Sequence, residues 1–291
     1  MKRSLWREHL SSTKKPSPRF VQEGPSFWEG LHQEAKGYFS SFGRSQSLGQ
    51  NFLVDPFALH AISLLIEARP SPWTVEVGAG LGFLTRGLSH RPHLTLFELD
   101  LSLLSRLSSH FPNASLLGDF RDWDASSAPP NGLLVGNIPY SLSGSVLSLL
   151  ARYPSRFIGS ILTLQREVAQ RVAAPIHTKR RGLLSGPLQA IYNVEVARRL
   201  PPGVFAPPPR VHSAVLVLDR NEIFPDDKWA HNHLALMKLA FSQRRKKVAN
   251  LLSHVLPEKC LNEIPDGARA EDLPTSLSLH LSSFFQPKKT S

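Results

Sequence analysis

The sequence predicts an α/β fold: an open, largely parallel sheet with a ligand at one edge, followed by a small helical C-terminal part. Apolar, strand-like runs recur at 73–77, 94–97, 114–117 and 133–135. Each is followed within two residues by one suited to holding a ligand, namely Gly78, Glu98, Asp119 and Asn137. In open α/β sheets, ligands bind outside the carboxyl ends of parallel strands, so four such residues in register point to one site. From Asn221 onward the pattern turns helical, with His233, Leu236, Met237 and Ala240 marking one apolar stripe.

Composition narrows the class. A chain of 291 residues with 41% hydrophobic content can bury one large core and a smaller one. The single cysteine, Cys260, rules out an intramolecular disulfide and fits a reducing compartment. The 12 histidines are scattered, without metal-ligand spacing, and no apolar run is long enough to span a bilayer. The net charge of +11 calls for a polyanionic partner, and it is unevenly placed: about +4 in residues 1–46, −3 in 47–150 and +10 in 151–291. A slightly acidic ligand-binding section is thus followed by a basic section suited to gripping phosphates.

In chain order, residues 1–46 mix Lys, Arg, Ser, Pro and aromatics without periodicity. The first 20, basic with Glu8 as their one acid, read as a solvated tail, a basic arm on RNA or a transit peptide, the first being favoured. Asp55-Pro56 supplies an N-cap and first-turn proline, and the spacing of Phe57, Ala61, Leu64 and Leu65 predicts the buried face of the helix that follows. The strand ending at Val77 runs into Gly78-Ala79-Gly80-Leu81-Gly82 and a helix from Phe83 to Leu88. The glycine spacing is not the G-x-G-x-x-G that cradles a pyrophosphate, so a cofactor without phosphates fits better. Glu98, 20 residues after Gly78, stands where ribose-binding carboxylates stand. Asp119 suits an adenine amine, with Phe120 packing beside the ring.

The fourth run delivers Asn137-Ile138-Pro139-Tyr140. Proline keeps this segment extended, which frees carbonyls to face a ligand beside an amide and an aromatic ring. Further strands are expected at 157–164, 194–199 and 214–218, with helices from Ser143 to Arg152 and from Leu183 to Tyr192. Phe205, framed by prolines, is a loop anchor or a second ring for a target base, with the anchor favoured on composition. Arg180 and Arg181 lie in a basic loop, and Arg244, Arg245, Lys246 and Lys247 form a run of four cations. Such runs sit on a solvated face or on phosphates, and the charge partition favours phosphates.

These residues together carry a family likeness. The chain resembles the small-subunit ribosomal RNA adenine N6,N6-dimethyltransferases of the KsgA type from about Ser47 to Phe285. The matching pieces are Leu48-Gly49-Gln50-Asn51-Phe52-Leu53, Val75 to Gly80, Phe97 to Asp100, Gly118-Asp119, Gly136 to Tyr140, Leu164 to Val168, Phe205 to Val211, and Phe241 to Lys246. The resemblance implies a Rossmann-like class I methyltransferase sheet over residues 47–220, a helical RNA-contacting domain over 221–291, and a basic extension before 47. It implies S-adenosylmethionine as cofactor, held by Asn51, Leu53, Gly78, Gly80, Glu98, Asp119, Phe120 and Asn137.

The implied partner is ribosomal RNA within the small subunit, where two adjacent adenines near the 3′ end are each dimethylated. A cytoplasmic monomer is expected, with no membrane contact. Asn137, Ile138, Pro139, Tyr140 and Phe205 would meet the target base. The family usually has Pro at Ala79, Leu at Ile138 and Asp at His212. Ile138 is the form common in the related large-subunit enzymes, so a large-subunit adenine methyltransferase is one alternative. A non-catalytic RNA-binding assembly factor is the other.

Overall fold

The computed structural model describes residues 18–42 and 50–285. Leu48 and Gly49 of the matching pieces therefore lie outside the described residues. Nine strands are seen among them: β1 Phe52–Leu53, β2 Thr74–Val77, β3 Leu94–Phe97, β4 Ser115–Leu117, β5 Gly132–Asn137, β6 Phe157–Gln165, β7 Tyr192–Leu200, β8 Phe205–Ala206 and β9 Ser213–Arg220. Seven of them form one sheet in the order β4-β3-β2-β5-β6-β9-β7. From β4 through β6 all pairings are parallel, while β9 runs antiparallel to both β6 and β7. The chain builds outward from β2 to β4, then returns to place β5 on the other side of β2. That reversal opens a crevice at the carboxyl ends of β2 and β5.

Both faces of the sheet are covered, so its strands are apolar on both sides. Leu133 and Val135 of β5 face one apolar cluster, and Leu134 faces the other. A third cluster, from Leu236 to Phe285, lies among the C-terminal helices, including Asp227–Ala240 and Thr275–Phe284. His233, Leu236, Met237 and Ala240 are all buried, as their spacing predicts. Ala230, on the same helix, packs into the sheet-face cluster, so this helix joins the two bodies.

Two expectations need correction. Helix Pro56–Glu67 is capped by Asp55, which accepts from the Ala58 N–H at 2.7 Å, but it buries the opposite face. Ala58, Leu59, Ile62, Ser63 and Ile66 are inside, while Phe57 is 66% and Leu64 42% exposed. This helix is apolar around most of its circumference, so periodicity alone could not choose the side.

The second correction concerns the segment before residue 47. The expected tail over the first 20 residues lies almost wholly outside the described residues, but Arg19–Glu23, Gly24–Trp28 and Leu31–Phe42 are helical where the sequence shows no clear periodicity. Trp28 is fully buried, and its indole N–H donates to the Phe83 carbonyl at 2.9 Å. Burial of large aromatics supplies the stabilisation that this polar stretch lacks on paper.

Candidate active site

Gly78, Glu98, Asp119 and Asn137 do come together, at the ends of β2, β3, β4 and β5. They line a cleft of about 330 Å³ with Gln50, Asn51, Phe52, Gly80, Phe120, Arg121, Ile138, Pro139, Tyr140 and Phe205 among others. The register explains this: Val77 is level with Phe97, and Phe97 with Leu117, so the residues after them share one edge.

Gly78 and Gly80 have φ of +75° and +57°, a region L side chains rarely adopt. A Cβ on Gly78 would lie 2.8 Å from the Pro139 ring, and one on Gly80 would lie 3.0 Å from the Phe52 ring. The Gly80 N–H donates to Glu98 Oε2 at 2.8 Å, while Glu98 Oε1 accepts from the N–H groups of Leu99 and Asp100 at 2.9 and 3.0 Å. Burial pushes the Glu98 carboxyl above its ordinary range, and these three N–H bonds pull it back. The result is a fixed acceptor pair on the cleft wall.

Asn137 is oriented by its amide nitrogen, which donates to the Asn51 carbonyl at 2.8 Å. Its side-chain oxygen is thereby the end left to accept. The Ile138 N–H donates to the Thr163 carbonyl at 3.1 Å, holding the tetrapeptide to β6. The Pro139 carbonyl accepts from the Leu142 N–H at 2.8 Å in the turn that follows. Tyr140 Oη lies 2.9 Å from Ser213 Oγ, which holds the tip of its ring beside the cleft.

Several predicted positions differ in detail. Leu53 is 4% exposed and does not line the main cleft; its side chain belongs to the core, and it is paired with Phe205. Phe205 is itself 2% exposed, so it anchors β8 while forming the cleft's inner wall. Asp119 caps the turn after β4 and is chelated by the Arg121 guanidinium, which holds its carboxyl below the usual range.

Among the basic candidates, Arg181 is completely buried, bonding the Ala174 carbonyl, Gln189 and Thr275. It is a structural tie and not an RNA contact, because burial hides it from any phosphate. Arg244 spends its guanidinium on the carbonyls of Lys179 and Arg181, at 2.9 Å each, and Lys247 pairs with Asp266 at 3.0 Å. Arg180, Arg245 and Lys246 are exposed, and the Arg244 bridge makes the two basic loops one surface.

Sequence reasoning passed over Gln50, Arg121 and Leu99 as site residues, although all three line the cleft. The Gln50 amide donates to Asp100 at 2.8 Å, and its oxygen is buried with no partner among the described residues. Its place in the Gly49 to Leu53 stretch was the available signal.

These features fit a nucleoside-type methyl donor: a glycine cradle, a half-buried carboxylate suited to a diol, and an orphaned amide oxygen. The fold and site define a class I methyltransferase acting with S-adenosylmethionine. The chain belongs to the ribosomal RNA adenine dimethylase family, whose signature matches residues 42–286. It is 37% identical over 265 residues to Ribosomal RNA small subunit methyltransferase A of Ralstonia nicotianae, covering 84% of this chain and 92% of that one. The protein of the same name from Laribacter hongkongensis is 38% identical, over 70% and 80%.

Among solved structures, a dimethyladenosine transferase from Plasmodium falciparum superposes with a TM-score of 0.64 at 22% identity, over 78% of this chain and 94% of that one. The 23S rRNA methyltransferase ErmE gives 0.60 at 23%, over 80% and 99%. At those identities the structural likeness speaks for the fold alone. Among the described residues, no helix is long and apolar enough to cross a membrane.

Proposed function

We propose that this chain dimethylates the N6 amines of two adjacent adenines near the 3′ end of small-subunit ribosomal RNA, acting as a monomer in the cytoplasm. The observation that carries the reading is the orientation of Asn137, whose amide donates to Asn51 and leaves its oxygen toward an incoming amine. S-adenosylmethionine, when bound, supplies an electrophilic methyl group on sulfonium. Glu98 would hold the ribose hydroxyls, Asp119 and Phe120 the adenine ring, and Gly78 and Gly80 would let the backbone approach.

An exocyclic amine is a poor nucleophile because its lone pair is delocalised into the ring. Asn137 Oδ1 and a backbone carbonyl accept its two N–H bonds and localise that pair. Of the two carbonyls available, Pro139 already serves the Leu142 N–H, which favours Ile138. The proton leaves after attack, to solvent or to an acceptor, so no general base is needed. Alignment and electrostatics of this kind supply several kcal/mol. Tyr140 would stack on the adenine, worth about 1–3 kcal/mol, and the base must be unpaired or flipped to reach it. Arg180, Arg245 and Lys246 would meet phosphates, and the exposed Arg166 and Arg210 extend the basic surface toward Ser213, next to Tyr140.

The test is incubation with labelled S-adenosylmethionine and unmethylated small or large ribosomal subunits, followed by nucleoside analysis. Dimethyladenosine in the small subunit is expected. Label confined to the large subunit would transfer the assignment to the related large-subunit enzymes, and no label would make the chain a binding factor.

A further inference from the structure

Almost all of helix Leu31–Phe42 precedes the family match, which begins at residue 42, yet the helix is built into the back of the cleft. Leu31 and Ala35 are buried in the sheet-face core. Glu34 accepts from Arg86 at 2.8 and 2.7 Å and pairs with Arg106, which pins the helix to two elements of the sheet domain. The two residues that follow on this side touch groups that line the site.

The Tyr38 hydroxyl lies 3.3 Å from Asp100 Oδ2 and 3.0 Å from Ser102 Oγ. That same Asp100 oxygen accepts from the Gln50 amide at 2.8 Å, and Gln50 lines the cleft. Phe39 stacks on Phe52 with centroids 5.4 Å apart and planes 21° apart, while Tyr38 meets the same ring edge-on at 5.9 Å. Phe52 in turn packs against Gly80, whose N–H holds Glu98. Two short chains of contact therefore run from this helix to both the Gln50 and the Glu98 sides of the cleft.

We propose that helix Leu31–Phe42 is a built-in positioning element for the methyl-donor site, acting through Tyr38 on Asp100 and Gln50 and through Phe39 on Phe52. The inference rests on reading the cleft as that site. The segment from Gln50 to Leu53 has little regular structure of its own, only the two residues of β1. Freezing its rotamers ahead of binding lowers the entropic cost of taking up a ligand. Tyr38 and Phe39 are positioning residues: neither lines the cleft.

The experiment titrates S-adenosylmethionine calorimetrically into the full chain and measures methyl transfer to unmethylated small subunits in parallel. Tyr38→Phe keeps the ring and removes the hydroxyl. It should raise the donor Kd and KM roughly three- to tenfold, the scale of one hydrogen bond, with kcat within about twofold. Phe39→Ala should weaken donor binding in the same way, and Phe39→Tyr should restore it. Lys36→Ala, on the exposed side of the helix, should bind as wild type.

If Tyr38 acts through Gln50, adding Tyr38→Phe to Gln50→Ala should weaken binding little further. Wild-type donor affinity in folded Tyr38→Phe and Phe39→Ala overturns the proposal, as does lowered Tm with unchanged KM. Glu98→Ala separates the two readings. Should it also bind the donor normally, the cleft reading falls; should it alone lose binding, only the role of the helix falls.

Discussion

The cleft and the basic surface are both clusters of polar residues, and the fold uses the two differently. At the cleft, the four residues at successive strand ends all reach the site. At the basic surface, Arg181 is buried, Arg244 bonds backbone carbonyls, and Lys247 is paired with Asp266. The difference lies in what fixes position. Strand-end residues are placed by parallel register, a rule of the backbone, whereas a guanidinium can serve a phosphate or a buried carbonyl equally well.

That contrast can be broken at its strongest point by Asn137→Ala. Methyl transfer should fall roughly 10²–10³-fold, on the scale of losing one preorganised polar contact to the reacting group. Donor binding measured by calorimetry should fall far less; turnover near wild type would remove Asn137 from the chemistry.

Next in size is a pair of basic residues expected to behave in opposite ways. Arg181→Ala removes the donor to Gln189 Oε1 and Thr275 Oγ1, leaving the Ala174 carbonyl to Gln189 alone, and should cost about 2–3 kcal/mol in urea unfolding. Arg245→Ala should leave stability within about 0.5 kcal/mol and lower the salt slope of RNA binding by about 1. An unchanged slope would return Arg245 to an ordinary solvated face. Gly80→Ala should follow, with about 1–2 kcal/mol of backbone strain at its positive φ and weaker donor binding by titration.

A last effect is one of slope. Glu76 is wholly buried, accepts only from the Thr85 hydroxyl at 2.7 Å among the described residues, and is pushed up to about 8, first by burial and then by the nearby Glu98 charge. His233, in the C-terminal helices beside Ser278, is pushed down to about 3 by burial and by Arg181. The folded chain keeps a proton on Glu76 that the unfolded chain gives up near its ordinary value. That contribution is full below about 4.5 and is lost as pH rises through 8. For His233 the sign reverses: the contribution is full above about 6.5 and is lost as pH falls toward 3. Glu76→Gln should flatten a Tm–pH profile between about pH 4.5 and 8 and leave it unchanged at more acid pH.

How much of this was legible in the sequence follows from sequence separation. The strands, the glycine turn and the helical C-terminus announce themselves locally, through periodicity and turn chemistry. The side chosen by helix Pro56–Glu67, the docking of Trp28 on Phe83 and the burial of Arg181 are settled by contacts with distant parts of the chain. Asp119 lines the cleft, but its chelation by Arg121 two residues on depends on a rotamer, which spacing does not report.

The two-residue ribbon of β1 and β8 joins Phe52 to Ala206 and Leu53 to Phe205 across about 150 residues of chain. One strand carries Phe52 and the other carries Phe205, both on the cleft wall, so two sides of the cleft hang on a single plate. A ligand that displaces this plate changes the fit of the other ligand by the same factor in both directions, since linkage is reciprocal.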